Sequence, residues 1–455
     1  MAPRICFIGG GSYQWTPKLI LDIADTRSLH DAEIVIEDID PEPIPAMVDF
    51  VHHVAKLRGI GLRATGTTEQ RSALEGADYV VVCISTGALE SMQHDIEVPD
   101  RYGLRQSVGD TVGPGGILRG LRNIPVLVAI ARDMEIVCPD AWLLNLTNPM
   151  TTLTRAVQKA TSITAIGLCH EVTITQYTLA MLLGCDMRAI DLSVAGVNHL
   201  PLITRLDIAG DDGLERLAAL IDDEDALAAP LVIPGITGHE AVSDGGAFTV
   251  GSLLEANRVK LELFRRFGVL PAAGDRHLVE FFPGFLTEES GWGARWGVEL
   301  TSMDTRRAWL AHYMREFDGL RSASELPRTP SGEMVAALID SRLRDRPRHF
   351  PLNIANHGQV PDLPEGAIVE SMVCVDASGA RGRDVAPVPV VLADYLRRVS
   401  ASQEKVVEAA LTGERDVVFE AMLLDPLASR IDYDELGRMT DEMLAATARW
   451  LPQFA

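Results

Sequence analysis

The strongest constraint on how this chain folds lies in its first forty residues. Arg4-Ile5-Cys6-Phe7-Ile8 is a short apolar run that ends in Gly9-Gly10-Gly11-Ser12, and Glu33-Ile34-Val35-Ile36-Glu37-Asp38 follows. The order reads as strand, glycine turn, helix, second strand and a terminal acid. A dinucleotide requires those parts. Residues without side chains let the backbone approach a pyrophosphate, a helix N-terminus faces its charge, and a carboxylate hydrogen-bonds a ribose diol. Gly9, Gly10, Gly11 and Ser12 are therefore the expected phosphate cradle. Asp38, at the strand's end, is the expected ribose ligand; its competing role is a helix cap before Pro41. The pattern departs from the usual one at Gln14, where a third glycine is common. No arginine follows the acid to receive a 2′-phosphate, so NAD is expected over NADP.

Further apolar runs repeat the strand character. Ala77 to Ile84, Ala141 to Leu146 and Thr164 to Cys169 each read as a strand buried on both faces, and helical segments such as Asn123 to Glu135 precede them. The expected fold is α/β: a Rossmann-type doubly wound parallel sheet over residues 1–195, joined to a second, α+β domain over 196–455. The stretch near 210–245 reads as peripheral helix and loop, and 401–450 as mostly amphipathic helix. In such a sheet ligands gather beyond the C-terminal strand ends. Asp38, Ser85, Asn148 and Cys169 all fall there, which makes Ser85 a further candidate for the cofactor and Asn148 for a substrate hydroxyl. Asn148 also precedes a proline, as a plain turn residue would.

A net charge of −23 argues against nucleic acid or an anionic membrane as partner. An anionic substrate then requires local arginines. Six cysteines are scattered without a CxxC pair, the usage of a reducing compartment, and no leader or membrane-length apolar stretch is evident. The expected location is the cytoplasm.

Three more segments carry chemistry. Cys169-His170 ends one strand and His199 the next, so a thiolate and an imidazole stand at neighbouring strand ends, where they either ligate a divalent metal or are simply structural. Gly109 to Gly116 is a glycine-rich loop holding Asp110, followed by Arg119; it reads equally as a mobile cover or a surface loop. Gly274-Asp275-Arg276-His277 places three ionisable residues among Pro, Ala and Phe, as a site would.

Ile8 to Ser12, Asp110 to Gly116, Asn148-Pro149, Gly167 to His170, Gly196 to His199, Gly274 to His277 and Asn356 to Gln359 together resemble the motifs of glycoside hydrolase family 4, over nearly the whole chain. The resemblance implies a lactate/malate dehydrogenase-like fold, bound NAD, and a divalent metal, usually Mn²⁺, on Cys169 and His199. It also implies α-glycoside cleavage by a redox cycle. Hydride moves from sugar C3 to NAD⁺, the acidified C2 proton leaves, and the C1 substituent is eliminated. Water then adds and the hydride returns. On this reading Asp275 is the C2 base and His170 handles the O3 proton, while Asn148 and Asp110 hold the sugar. The same comparison is nearest the α-galacturonidase branch, with Arg276 or Arg119 clamping the C6 carboxylate. An α-glucuronidase, then a neutral α-galactosidase or α-glucosidase, are the alternatives within the family. An NAD-dependent hydroxy-acid dehydrogenase and an NAD-sensing binding protein are the alternatives outside it. A homodimer or homotetramer is the assembly implied.

Overall fold

The computed structural model describes residues 2–227 and 249–454, together with 229, 231, 242, 243, 246 and 247. Six short strands form its parallel half: β1 (Arg4–Ile8), β2 (Glu33–Glu37), β3 (Arg63–Thr67), β4 (Tyr79–Val82), β5 (Trp142–Asn145) and β6 (Ala165–Leu168). They lie in the order β3-β2-β1-β4-β5-β6, every neighbour parallel. This is the doubly wound dinucleotide order, with its crevice where the order reverses beside β1.

The apolar runs explain themselves in this setting. Every residue of β4, β5 and β6 is buried, because helices cover both faces. Along β1, Cys6 and Ile8 join one core with the helix Gly113–Val137, while Ile5 and Phe7 join the opposite core with the helices Thr16–Asp25 and Ile44–Arg58.

The sheet does not end at β6. Arg348–Ala355 pairs antiparallel with β6, and Ile368–Asp376, β7 (Ile190–Val197), β8 (Leu200–Ile208) and Leu270–Pro271 follow, each antiparallel to the last. The second half therefore grows from the edge of the first as one continuous sheet. A division after residue 195 cuts β7 internally, and the change from parallel to antiparallel pairing comes earlier, beyond β6. The 401–450 stretch is helical as read, in Val390–Thr412, Arg415–Leu424 and Tyr433–Ala446. Val406, Val407, Val418 and Met439 from these helices pack into the β1–β4 core, so the C-terminus closes back over the N-terminal half. Near 210–245, Gly213–Ile221 and Glu224–Leu227 are helices, and most of the remainder lies outside the described residues. Among the described residues no helix is long and apolar enough to cross a membrane.

A buried ion pair joins the helices Ala88–Arg101 and Gly113–Val137. Arg122 Nη1 and Nη2 donate to Asp95 Oδ1 and Oδ2 at 2.8 and 2.5 Å, with side chains 1% and 0% exposed. Removing one partner leaves a charge stranded in the core. Asp95→Asn is thus expected to cost about 3–5 kcal/mol in urea unfolding. A loss under roughly 1 kcal/mol would place this pair with ordinary surface bridges.

Candidate active site

The glycine turn closes on two neighbouring strands. Gly9 has φ +75°, and a Cβ there would stand 2.2 Å from the Cys83 carbonyl oxygen beyond β4. Gly11 donates its amide to Asp38 Oδ2 at 2.9 Å, and a Cβ on Gly11 would lie 2.7 Å from that same oxygen. Asp38 is half-buried, and its Oδ1 accepts from Asp40 N at 3.0 Å, so the acid is drawn over the mouth of the turn. Its neighbour Glu37 is buried, and its carboxyl is pushed up to about 7 by that burial and by the charge of Asp38. The first helix begins only at Thr16, with Ser12 Oγ accepting from Trp15 N at 3.3 Å. Gln14 thus sits in the turn, before the helix, where no third glycine is required. Ser85 is exposed, three residues beyond β4.

The glycine-rich segment is neither a mobile cover nor a surface loop. Gly113–Gly116 open the buried helix Gly113–Val137, with Pro114 in its first turn. The preceding residues fold tightly over it, so a Cβ on Gly115 would meet Gly109 O at 2.7 Å. Three buried acceptors tie the segment down. Glu280 Oε1 takes the amides of Val108 and Gly109 at 2.7 and 2.8 Å, Gln106 Oε1 that of Gly115 at 2.9 Å, and Asp425 Oδ2 that of Gly113 at 2.8 Å.

Asp110 is thereby fixed at the centre of the crevice. Asn148 Nδ2 donates to its Oδ2 at 3.2 Å and Thr111 Oγ1 to its Oδ1 at 2.8 Å. Burial opposes its charge, yet His277, His199 and Arg119 hold its carboxyl well below the usual range. The same Thr111 hydroxyl lies 2.8 Å from His199 Nδ1. With its proton given to Asp110, the hydroxyl must accept from His199 Nδ1–H, which leaves the Nε2 lone pair free.

His199 occupies the two-residue turn between β7 and β8 with φ +65°, and burial pushes its imidazole down to about 3. His277, from the short helix Asp275–Phe281, stacks on it with ring centroids 3.8 Å apart and planes 29° apart. Burial lowers its pKa too, and its Nδ1 has no partner. One ligand atom each from Asp110, His199 and His277 falls within 4.8 Å of the others, the only such metal-binding cluster among the described residues. Two neutral imidazoles and an ionised carboxylate are a donor set suited to Mn²⁺ or Fe²⁺.

Cys169 follows β6 directly and stands outside that cluster. Burial, then the charges of Glu370 and Glu171, push its thiol well up, and the Asn198 side chain hydrogen-bonds it. A cation ligated there must replace the thiol proton.

Asp275 is placed differently from the expectation of a free base. Its two oxygens accept from Val259 N and Lys260 N at 2.8 and 3.0 Å, capping the helix Arg258–Phe267, whose own cap residue Asn257 makes no such bond. The residue of that motif delivered to the centre is His277. Arg119 Nε donates to Asn148 O at 2.9 Å, and Arg276 Nη2 to Thr301 Oγ1 at 3.0 Å. His170 opens the helix Glu171–Leu183, and its Nδ1 lies 3.0 Å from Glu333 Oε1, which is 5% exposed. Glu171, next in sequence, accepts from Gly274 N at 2.5 Å and lies among His277, His199 and His170, and its pKa is lowered there against burial. Thr111, Glu171 and His277 were within reach of a sequence reading, since each adjoins a candidate. Glu280 and Glu333 carry no sequence signal.

Comparison with known proteins matches two family models, the family 4 glycosyl hydrolase over residues 4–185 and the family 4 glycosyl hydrolase C-terminal domain over 194–428. An alpha-galacturonidase of Bacillus subtilis is 32% identical, with 97% of this chain and 96% of the relative covered. An alpha-galactosidase of Rhizobium meliloti is 30% identical, covering 99% and 90%. Among solved structures, the 6-phospho-beta-glucosidase of Thermotoga maritima with manganese, NAD⁺ and glucose-6-phosphate superposes with a TM-score of 0.78 at 21% identity, over 98% of this chain and 99% of that one.

The His170–Glu333 contact sets a pH dependence. The Glu333 hydrogen bond, against burial, raises the His170 pKa. On the expectation that His170 accepts the O3 proton, it works only when neutral, so kcat/KM should rise with pH through that raised value. Glu333→Gln removes the carboxylate and is expected to shift this acid limb to lower pH. An unmoved limb would dissociate His170 from it.

Proposed function

This chain belongs to family 4 of the glycosyl hydrolases, and from that premise we propose that it is an NAD- and divalent-metal-dependent α-glycosidase acting on α-galacturonides. The observation that carries the reading is the shared wall between the glycine turn and the Asp110–His199–His277 cluster. Ser12 hydrogen-bonds the Cys83 thiol, the charge of Arg119 acts on both Cys83 and Asp110, and Arg119 and Asp110 both bind Asn148. A nicotinamide entering over Gly9–Ser12 and Ser85, with Asp38 on its adenosine ribose, would therefore meet a sugar held at Asp110 and Asn148.

NAD would supply a hydride acceptor and donor for sugar C3, and the cation a Lewis acid for charge at O2 and O3. His199, its Nδ1 taken by Thr111, would hold that cation with Asp110 beside it, and Cys169 is the further ligand the family resemblance implies. His277 is the C2 base in this proposal, in place of Asp275. Burial favours its neutral form, its Nδ1 is unpartnered, and its ring is stacked on that of His199. His170, steadied by Glu333, takes the O3 proton. All six cysteines are unpaired, which supports a cytoplasmic enzyme. Assembly as a homodimer or homotetramer remains part of the proposal. A second reading, α-galactosidase, is favoured by the 30% identity to the Rhizobium enzyme. An α-glucuronidase would differ only in its contact to the C4 hydroxyl.

A panel of aryl α-galacturonide, glucuronide, galactoside and glucoside, assayed with NAD⁺, Mn²⁺ and a reductant, tests this directly. Release from the galacturonide without net NADH is expected, and NADH accumulating without sugar release would instead identify a dehydrogenase. Cys169→Ser is expected to remove metal-dependent turnover while NAD binding persists, whereas full activity would take the thiol out of the metal site. His277→Gln should lower kcat by about 10²–10⁴-fold, and near-normal kcat would return the role to another base.

A further inference from the structure

Of the twenty residues in the helix Met303–Ser322, only Met303, Arg306 and Phe317 are buried. Arg306 is 9% exposed and sits inside the protein rather than on the helix's open face. Its Nη2 donates to the carbonyl of Val108, two residues before Asp110, and its Nε has no partner. Arg276 lies beside it. Its Nη2 binds Thr301, whose amide in turn donates to Ser107 O at 2.9 Å, its Nε is also buried without a partner, and its guanidinium stands 5.5 Å from the Trp309 ring centroid. Among the described residues neither arginine has a carboxylate within the 4.0 Å of an ion pair. The acids whose charge reaches Arg306 are Asp110, bound to Thr111 and Asn148, and Glu280, whose Oε1 takes the Val108 and Gly109 amides while its buried Oε2 has no partner.

Two adjacent guanidinium groups, one almost fully buried and neither in an ion pair, repel each other and are costly to keep from water. Such a pair is stable in use only when an anion enters. Arg276 adjoins His277 in sequence, so the anion would sit one residue's reach from the reacting end of the sugar. Arg119 is engaged through Nε by Asn148 O and lies beside Asp110, and it is left out of this receptor.

Resting on the α-glycosidase reading, we propose that Arg306 and Arg276 together form the receptor for the C6 carboxylate of a uronide, with Arg306 the main determinant of selectivity over neutral hexosides. A planar carboxylate matches the guanidinium fork, and Trp309 backs Arg276 through its ring face.

The test compares wild type, Arg306→Gln and Arg306→Lys on aryl α-galacturonide and aryl α-galactoside, with NAD⁺ affinity measured alongside. Arg306→Gln is expected to lower the galacturonide-to-galactoside ratio of kcat/KM about 100-fold, chiefly through KM. Arg306→Lys should recover part of it. Should Arg306→Gln lose NAD⁺ affinity through misfolding, Arg276→Gln provides the same ratio. A ratio within about threefold of wild type, in an enzyme that does release galacturonate, overturns the receptor alone. A wild type that releases sugar from neither substrate overturns the α-glycosidase reading, and the receptor falls with it. A wild type that prefers a 6-phosphorylated glycoside, with Arg306→Gln abolishing that preference, overturns the carboxylate assignment.

Discussion

The Glu280 carboxylate grips two consecutive amides, Val108 and Gly109, and the rest of the site depends on that grip. With Asp425 on Gly113 and Gln106 on Gly115, it turns a glycine-rich stretch into a fixed bracket for Asp110. Two of these three acceptors come from residues far downstream, 280 and 425, so the bracket exists only when the antiparallel half has folded onto the parallel one. The continuous sheet serves the same end. Arg348–Ala355 and Ile368–Asp376 lie in it between β6 and β7, and across them the side chain of Asn198, next to His199, reaches the Cys169 thiol.

That arrangement concentrates charge in a place that disfavours it. Against burial, the carboxyl of Asp110 is held below the usual range beside His277, His199 and Arg119, and that of Glu171 beside three histidines and the Gly274 amide, while burial lowers the pKa of His199 and His277. Glu280 and Glu370 go the other way, each pushed up to about 8 by burial. Environments that drive like groups apart are what proton-transfer chemistry requires. A purely structural ion network would pair its charges and stop. Here Arg276 and Arg306 are left over, and a ligand is what such surplus positive charge is for.

Much of the scaffold was legible in the chain. The runs around Val80, Leu143 and Ile166 read as buried strands because both sheet faces are covered, and the strand-end positions of Asp38, Asn148 and Cys169 followed from that alone. The glycine segment was misread because Gly113–Gly116 look like loop yet start a helix, their lack of side chains serving close packing against Thr111 and Gly109. Within Gly274-Asp275-Arg276-His277 the acid attracted the catalytic role, but its oxygens cap a neighbouring helix, a contact no spacing rule foretells. Arg306 and Glu333 were invisible for a related reason. Each sits in an unremarkable polar stretch and gains its meaning only from tertiary placement.

The central claim is that a carbon–hydrogen bond of the sugar, ordinarily inert, is broken and remade during hydrolysis. Steady-state rates on an aryl α-galacturonide carrying deuterium at C3 or at C2, against the unlabelled compound, test it most directly. The account predicts a primary isotope effect at one or both positions. Equal rates for all three substrates, with deuterium retained at C2 in the released sugar, would contradict it.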